Sequence, residues 1–173
     1  SQLERGQQNG LEIGWHKNGQ KKIEAYTKDG KAEGPARMWY ENGQKHKDLS
    51  CRDGKPDGPA TGWHDNGQRH FEQVYRGGVV HGPYVGWHRN GQKHKEFALK
   101  DGKPDGPATA WYDNGQRHYE QVYRGGVGHG PYKSWHANGQ KKGEGAFEEG
   151  KAVSMKHWNS KGEEVETAEE AQK

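Results

Sequence analysis

The chain has 173 residues with 27% hydrophobic content, and 27 Lys and Arg residues nearly cancel 24 Asp and Glu residues to leave a formal charge of +3. Leu, Ile, Val and Phe together number only 17, which excludes a conventional globular core, while the small net charge removes the usual mark of a disordered chain. No apolar run is long enough to span a membrane as a helix, the single Cys51 supports neither a disulfide framework nor a zinc ribbon, and +3 is too weak to imply a nucleic-acid partner.

What remains is an architecture that repeats and buries little per residue, with 7 Trp and 8 Tyr supplying much of the apolar packing. The start at Ser1 without Met reads as an expression boundary or a removed targeting segment. From Gly6 onward the sequence keeps a period of 24. Asn-Gly-Gln recurs at 18–20, 42–44, 66–68, 90–92, 114–116 and 138–140, which places Gly19, Gly43, Gly67, Gly91, Gly115 and Gly139 at one repeat position. Trp15, Trp39, Trp63, Trp87, Trp111 and Trp135 each stand three residues before the Asn. Two further glycine columns begin at Gly6 and Gly10, and Trp158 with Gly162 forms a degenerate seventh start. A strict internal period of this length signals an array.

Within one unit, two extended stretches rich in aromatic and β-branched residues flank Asn-Gly, the strongest short hairpin signal. A segment such as 101–107, with turn residues at both ends, carries the chain to the next hairpin. The predicted fold class is all-β: an open, twisted, single-layer antiparallel meander of tandem 24-residue β-hairpins, about 12 strands in sequence order. The array is expected over 1–158 with partial caps, followed by an acidic tail or short capping helix at 159–173, where five Glu face two Lys.

The repeated columns also hold the candidate sites. The acidic column Glu24, Asp48, Glu72, Glu96, Glu120 and Glu144 reads as ion pairs, because an enzyme needs two carboxylates in different environments and a repeat supplies equivalent ones. Histidines fall in two columns, His16, His64, His88 and His136 with Tyr40 and Tyr112 in the gaps, and His46, His70, His94 and His118. Only a pair within one hairpin, such as His64 with His70, can converge. A two-residue turn at Asn66-Gly67 separates the pair onto opposite faces, and a three-residue loop with a bulge brings them together. No catalytic, metal or cofactor set is read from the sequence, and Cys51 is read as a strand residue. Residues 53–83 also match 101–131 at 27 of 31 positions, a second period of two hairpins.

Tyr84 and Trp87 lie three apart on one strand and so face opposite ways. The Trp column is filled in every unit, as packing requires. The Tyr84 column reads Glu12, Ala36, Ala60, Tyr84, Ala108, Tyr132, and a position free to be Ala is read as one that packing leaves open. Tyr84 and Tyr132, with Phe71 and Tyr119 as neighbours, form the expected partner patch.

The pattern Trp-x-x-Asn-Gly-Gln-Lys/Arg-x-x-Glu followed by Asp-Gly-Lys-x-x-Gly-Pro resembles the bacterial variant of the MORN repeat over about residues 6–152. That resemblance implies consecutive β-hairpins and, since similar bacterial proteins are often labelled antitoxins of toxin–antitoxin systems, a toxin as one class of partner. The expected function is a non-enzymatic protein–protein interaction module, with a scaffold component of the cell envelope or a larger complex, or a carbohydrate-binding module, as alternatives. A protein partner is expected, nucleic acid and direct membrane binding are not, and both cytoplasm and cell envelope remain open.

Overall fold

A computed structural model describes residues 9–172; Gly6, the first glycine of its column, lies outside them. The chain forms two compact units that divide between Val80 and His81. In the first, β1 (Gly10–Trp15), β2 (Lys21–Lys28), β3 (Lys31–Trp39), β4 (Lys45–Arg52), β5 (Lys55–Trp63) and β6 (Arg69–Arg76) follow one another in an antiparallel meander. In the second, β7 (Val79–Trp87), whose first two residues precede the boundary, is followed by β8 (Lys93–Lys100), β9 (Lys103–Trp111), β10 (Arg117–Arg124), β11 (Val127–Trp135), β12 (Lys141–Glu148) and β13 (Lys151–Trp158). A two-residue β14 (Glu164–Val165) and a 3₁₀ turn at Glu170–Gln172 complete it. The all-β meander is as the repeat predicts, and the degenerate seventh start supplies β13.

Two kinds of turn alternate. Asp53-Gly54 joins β4 to β5 as a two-residue turn, with Arg52 opposite Lys55 and positive φ at both central residues, 50° and 78°. Positive φ at both positions is the type I′ pattern, whose twist matches that of the flanking strands. The Asn-Gly turns are different. His64 donates its N–H to the Gln68 carbonyl at 2.8 Å, and Gly67 donates to the His64 carbonyl at 2.9 Å, closing a three-residue loop that ends on a left-handed glycine. The register then slips by one, Trp63 opposite Arg69 but Gly62 opposite Phe71, so His70 is the extra residue of a bulge.

This register sorts the side chains onto two faces. On one lie Trp63, Arg69, Thr61 and Glu72; on the other lie Gly62, Phe71, Ala60, Gln73 and Tyr75. The bulge is what places Arg69 and Glu72, three apart, on the same face. The most buried side chains belong to the second face: Ala36 is 5% exposed, Ala60 2% and Ala108 4%. Ala25, Cys51, Phe71 and Tyr75 pack around the Ala36–Leu49–Ala60 cluster in the first unit. Alanine in the Tyr84 column therefore marks a packed position, and the reason is spatial: larger neighbouring side chains fill the surface around it. Trp residues are only half-buried, and Trp15 is 59% exposed.

Candidate functional site

On the Trp face, within each compact unit, a cation from one hairpin covers the Trp of the next. Lys21 Nζ lies 5.2 Å from the Trp39 ring centre, Lys45 5.1 Å from Trp63, Lys93 5.4 Å from Trp111 and Lys141 4.9 Å from Trp158. Each cation is held by the carboxylate three residues on, as in Lys21–Glu24 at 2.6 Å, Arg117–Glu120 at 2.6 Å and Lys141–Glu144 at 2.7 Å. The Lys21 hydrogen bond is the main cause that holds the Glu24 carboxyl below its ordinary range, and Lys141 does the same for Glu144. Exposed ion pairs add little stability by themselves. Here they fix a cation over an aromatic ring.

The His/Tyr column forms a second set of ties. His16 Nε2 lies 2.8 Å from the Trp39 carbonyl, Tyr40 donates its hydroxyl to the Trp63 carbonyl at 2.8 Å, and His88, Tyr112 and His136 repeat the contact at 2.9 Å. A carbonyl only accepts, so the histidine Nε2 carries the proton. Tyr fills the gaps in this column because its ring also ends in a donor. Where the bulged residue of the same hairpin is a histidine, the column's ring packs on it: Tyr40 on His46 at 4.4 Å, His64 on His70 at 4.3 Å, His88 on His94 at 4.4 Å, Tyr112 on His118 at 4.3 Å. The His64–His70 convergence is thus a stack, and no group of three metal-ligating side chains occurs among the described residues.

The Asn column supplies a third. Asn42 Oδ1 accepts the Gln44 N–H at 3.0 Å, closing its own turn, while its Nδ2 donates 2.7 Å to the Asp65 carbonyl in the next one. The Gln20 side chain lies against Gly43, where a Cβ would collide with its Oε1. At the opposite edge, Asp57 Oδ1 accepts the Gly77 N–H and Asp105 Oδ1 the Gly125 N–H, both at 3.1 Å. This column, which reads Asn9, Glu33, Asp57, His81, Asp105 and His129, went unread in the sequence; the spacing of 20 between its acceptors and the next turn was the signal.

The expected partner residues lie on the other face. Tyr84 stacks on Phe97 at 4.8 Å, its ring over Gly86, and Lys95 stands 5.4 and 5.8 Å from the Tyr84 and Phe97 ring centres. The row across this face runs Tyr84, Phe97, Ala108, Gln121, Tyr132, Gly145, Met155. Tyr132 meets Phe147 edge-on at 5.5 Å. Tyr119 lies one row away opposite Ser134, and burial raises the phenol pKa of both Tyr84 and Tyr119. Phe71 occupies the corresponding face of the first unit, beneath the Lys47 ammonium at 5.6 Å. Cys51 is half-buried, and burial pushes its thiol pKa up, away from nucleophilic reactivity. Shallow grooves also open on the surface, among them one of about 460 Å³ lined by Ile23, Met38 and Trp39 and one of about 240 Å³ beside Pro107, Val122 and Pro131.

Fold and columns together define a tandem β-hairpin repeat array in which, within each compact unit, successive hairpins are tied through side chains at fixed positions. Three segments, residues 8–29, 104–124 and 128–149, match the MORN repeat variant. Each spans one hairpin about an Asn-Gly loop, the unit that the ties connect. No curated protein matches the chain. No helix of the described residues is long and apolar enough to cross a membrane.

Proposed function

We propose that the chain is a non-enzymatic protein–protein interaction module whose binding surface is the face bearing Tyr84, Tyr119 and Tyr132, with Phe71 on the corresponding face of the first unit. The observation that carries this reading is the contrast between columns. The Trp, cation, Asn and His/Tyr columns repeat with little change because each holds the next hairpin. The two columns that make up the row from Tyr84 to Tyr132 do vary, one reading Ala36, Ala60, Tyr84, Ala108 and Tyr132 and the other Ala25, Leu49, Gln73, Phe97 and Gln121, and Lys95 adds a cation to the Tyr84–Phe97 stack. Partially exposed aromatic side chains beside a cation are the composition of a protein-binding surface.

The finer reading, supported by the resemblance to bacterial MORN-variant proteins, is an antitoxin or immunity-type binder. A scaffold role in the envelope or a larger complex is the alternative, favoured by the regularity of the ties. The test is affinity capture from the source cell with the parent chain and with a folded Tyr84→Ala, Tyr132→Ala variant. A partner held by the parent and lost by the variant is expected; equal capture by both removes this face as the site. Relief of a captured partner's toxicity by the parent chain separates the antitoxin reading from the scaffold.

A further inference from the structure

The last hairpin carries a feature that the other units lack. In the columns that hold Ile23, Lys47, Phe71, Lys95 and Tyr119, and Ala25, Leu49, Gln73, Phe97 and Gln121, β12 has Gly143 and Gly145. Two side chains are thereby missing from the Tyr84–Tyr132 face: at Gly145 the Ser154 carbonyl and Met155 Sδ close into the space a Cβ would take, and room is left over Gly143, between Tyr132 and Ser134 on one side and Met155 and His157 on the other.

The C-terminal segment sits in this gap. Ala171 is the most buried of the core residues, 1% exposed, and Ser134 beneath the segment is 5% exposed. The segment is internally braced as a capping box: Thr167 Oγ1 accepts the Glu170 N–H at 3.2 Å, and Glu170 Oε2 accepts the N–H groups of Glu166 and Thr167 at 3.1 and 3.2 Å. Its charge complements the seat. Five Glu residues lie between 163 and 170, and Lys142 and His157 line the seat. The fit is nevertheless loose. A cavity of about 220 Å³ remains between Ala168, Ala171 and the wall of Tyr132, Phe147 and Met155. Two methyl groups underfill a space that a larger apolar side chain can occupy.

We propose that the seat over Gly143 is a binding site for an acidic, turn-forming peptide of a protein partner, and that the chain's own tail is its weak resident occupant. The preferred ligand has the tail's pattern, acidic residues around two apolar positions three apart, with a side chain larger than Ala at the first. The inference stands on the glycine gap and the seated tail, and does not depend on Tyr84 being a partner residue.

The test uses a labelled synthetic peptide with the sequence of residues 163–172 and a second peptide bearing Ala168→Leu, read by fluorescence anisotropy. The protein is the full chain, as the parent and with Ala171→Asp to unseat the tail. Thr167→Ala with Glu170→Ala, which dismantles the tail's cap and leaves the seat untouched, provides a second unseated chain should the first unfold. An unseated chain is expected to bind the first peptide at least tenfold more tightly than the parent does, and the Ala168→Leu peptide at least tenfold more tightly again. Adding Gly143→Tyr, the residue type found at Tyr119, should abolish both. Failure of both peptides to bind a folded unseated chain, or undiminished binding with Gly143→Tyr, overturns the proposal. A parent chain that dimerises by tail exchange, and loses the dimer with Ala171→Asp, gives the seat to a second copy and also overturns it.

Discussion

The Tyr112 hydroxyl donates 2.9 Å to the carbonyl of Trp135, 23 residues further along the chain, and in the preceding hairpin His88 Nε2 makes the same contact with Trp111. One position accepts two residue types because only the donor at the ring tip is needed. Tyr112→Phe should therefore cost about 1 kcal/mol, the net worth of one hydrogen bond, and Tyr112→His should recover most of it. Melting curves of the two variants check this; equal losses would show that ring packing alone sets the position.

Asn114 serves two turns at once, accepting from the Gln116 N–H at 3.0 Å and donating to the Ala137 carbonyl at 2.7 Å. Asn114→Ala should cost about 1–2 kcal/mol. Asn114→Asp keeps the acceptor alone, so its loss in urea unfolding should be smaller.

Glu149 adopts φ 47° at the first position of a two-residue turn, where Gly77 and Gly125 stand in other units at 57° and 58°. A left-handed conformation strains a side chain with a Cβ by about 1–2 kcal/mol, so Glu149→Gly should raise stability by up to about 1 kcal/mol after the entropy cost of glycine. A lower melting temperature in this variant would count against the strain.

His118 is held below the ordinary histidine pKa, first by burial and second by Lys142, with its ring against Tyr112 and Tyr119. A folded pKa below the unfolded one means that the unfolded chain takes up the proton first. The stability His118 contributes is present above the ordinary histidine range and is lost as pH falls through it. His118→Phe should flatten the fall in melting temperature between about pH 7 and 5 that this group causes.

Ala60 is 2% exposed within the Ala36–Leu49–Ala60 cluster. Ala60→Leu should overpack this face and cost about 1–3 kcal/mol, measured by denaturant unfolding. A neutral result would restore the idea that alanine there marks free space.

That position shows where sequence reading stops. The period, the hairpins and the opposite orientation of Tyr84 and Trp87 were all legible, because pleat and turn residues act locally. Burial at Ala60 was not, since it depends on which neighbouring rings lie beside it. Asn66-Gly67 also left the loop undecided: a left-handed glycine suits both a two-residue turn and a three-residue loop with a bulge. The deciding contacts, such as Asn42 Nδ2 to the Asp65 carbonyl, join turns 23 residues apart. Tail docking was hidden for a similar reason. Gly143 and Gly145 read as ordinary glycines until their columns are seen to hold Lys95 and Phe97 elsewhere.

The ties between hairpins have a kinetic consequence. The Asn and His/Tyr contacts reach 22 or 23 residues along the chain, and the acidic residues cap turns 20 residues away. Loop closure in these contacts spans about one repeat, which gives the described β-meander the local wiring otherwise typical of helical bundles. A hairpin emerging during synthesis finds its complete partner already made, and can dock before the next one appears.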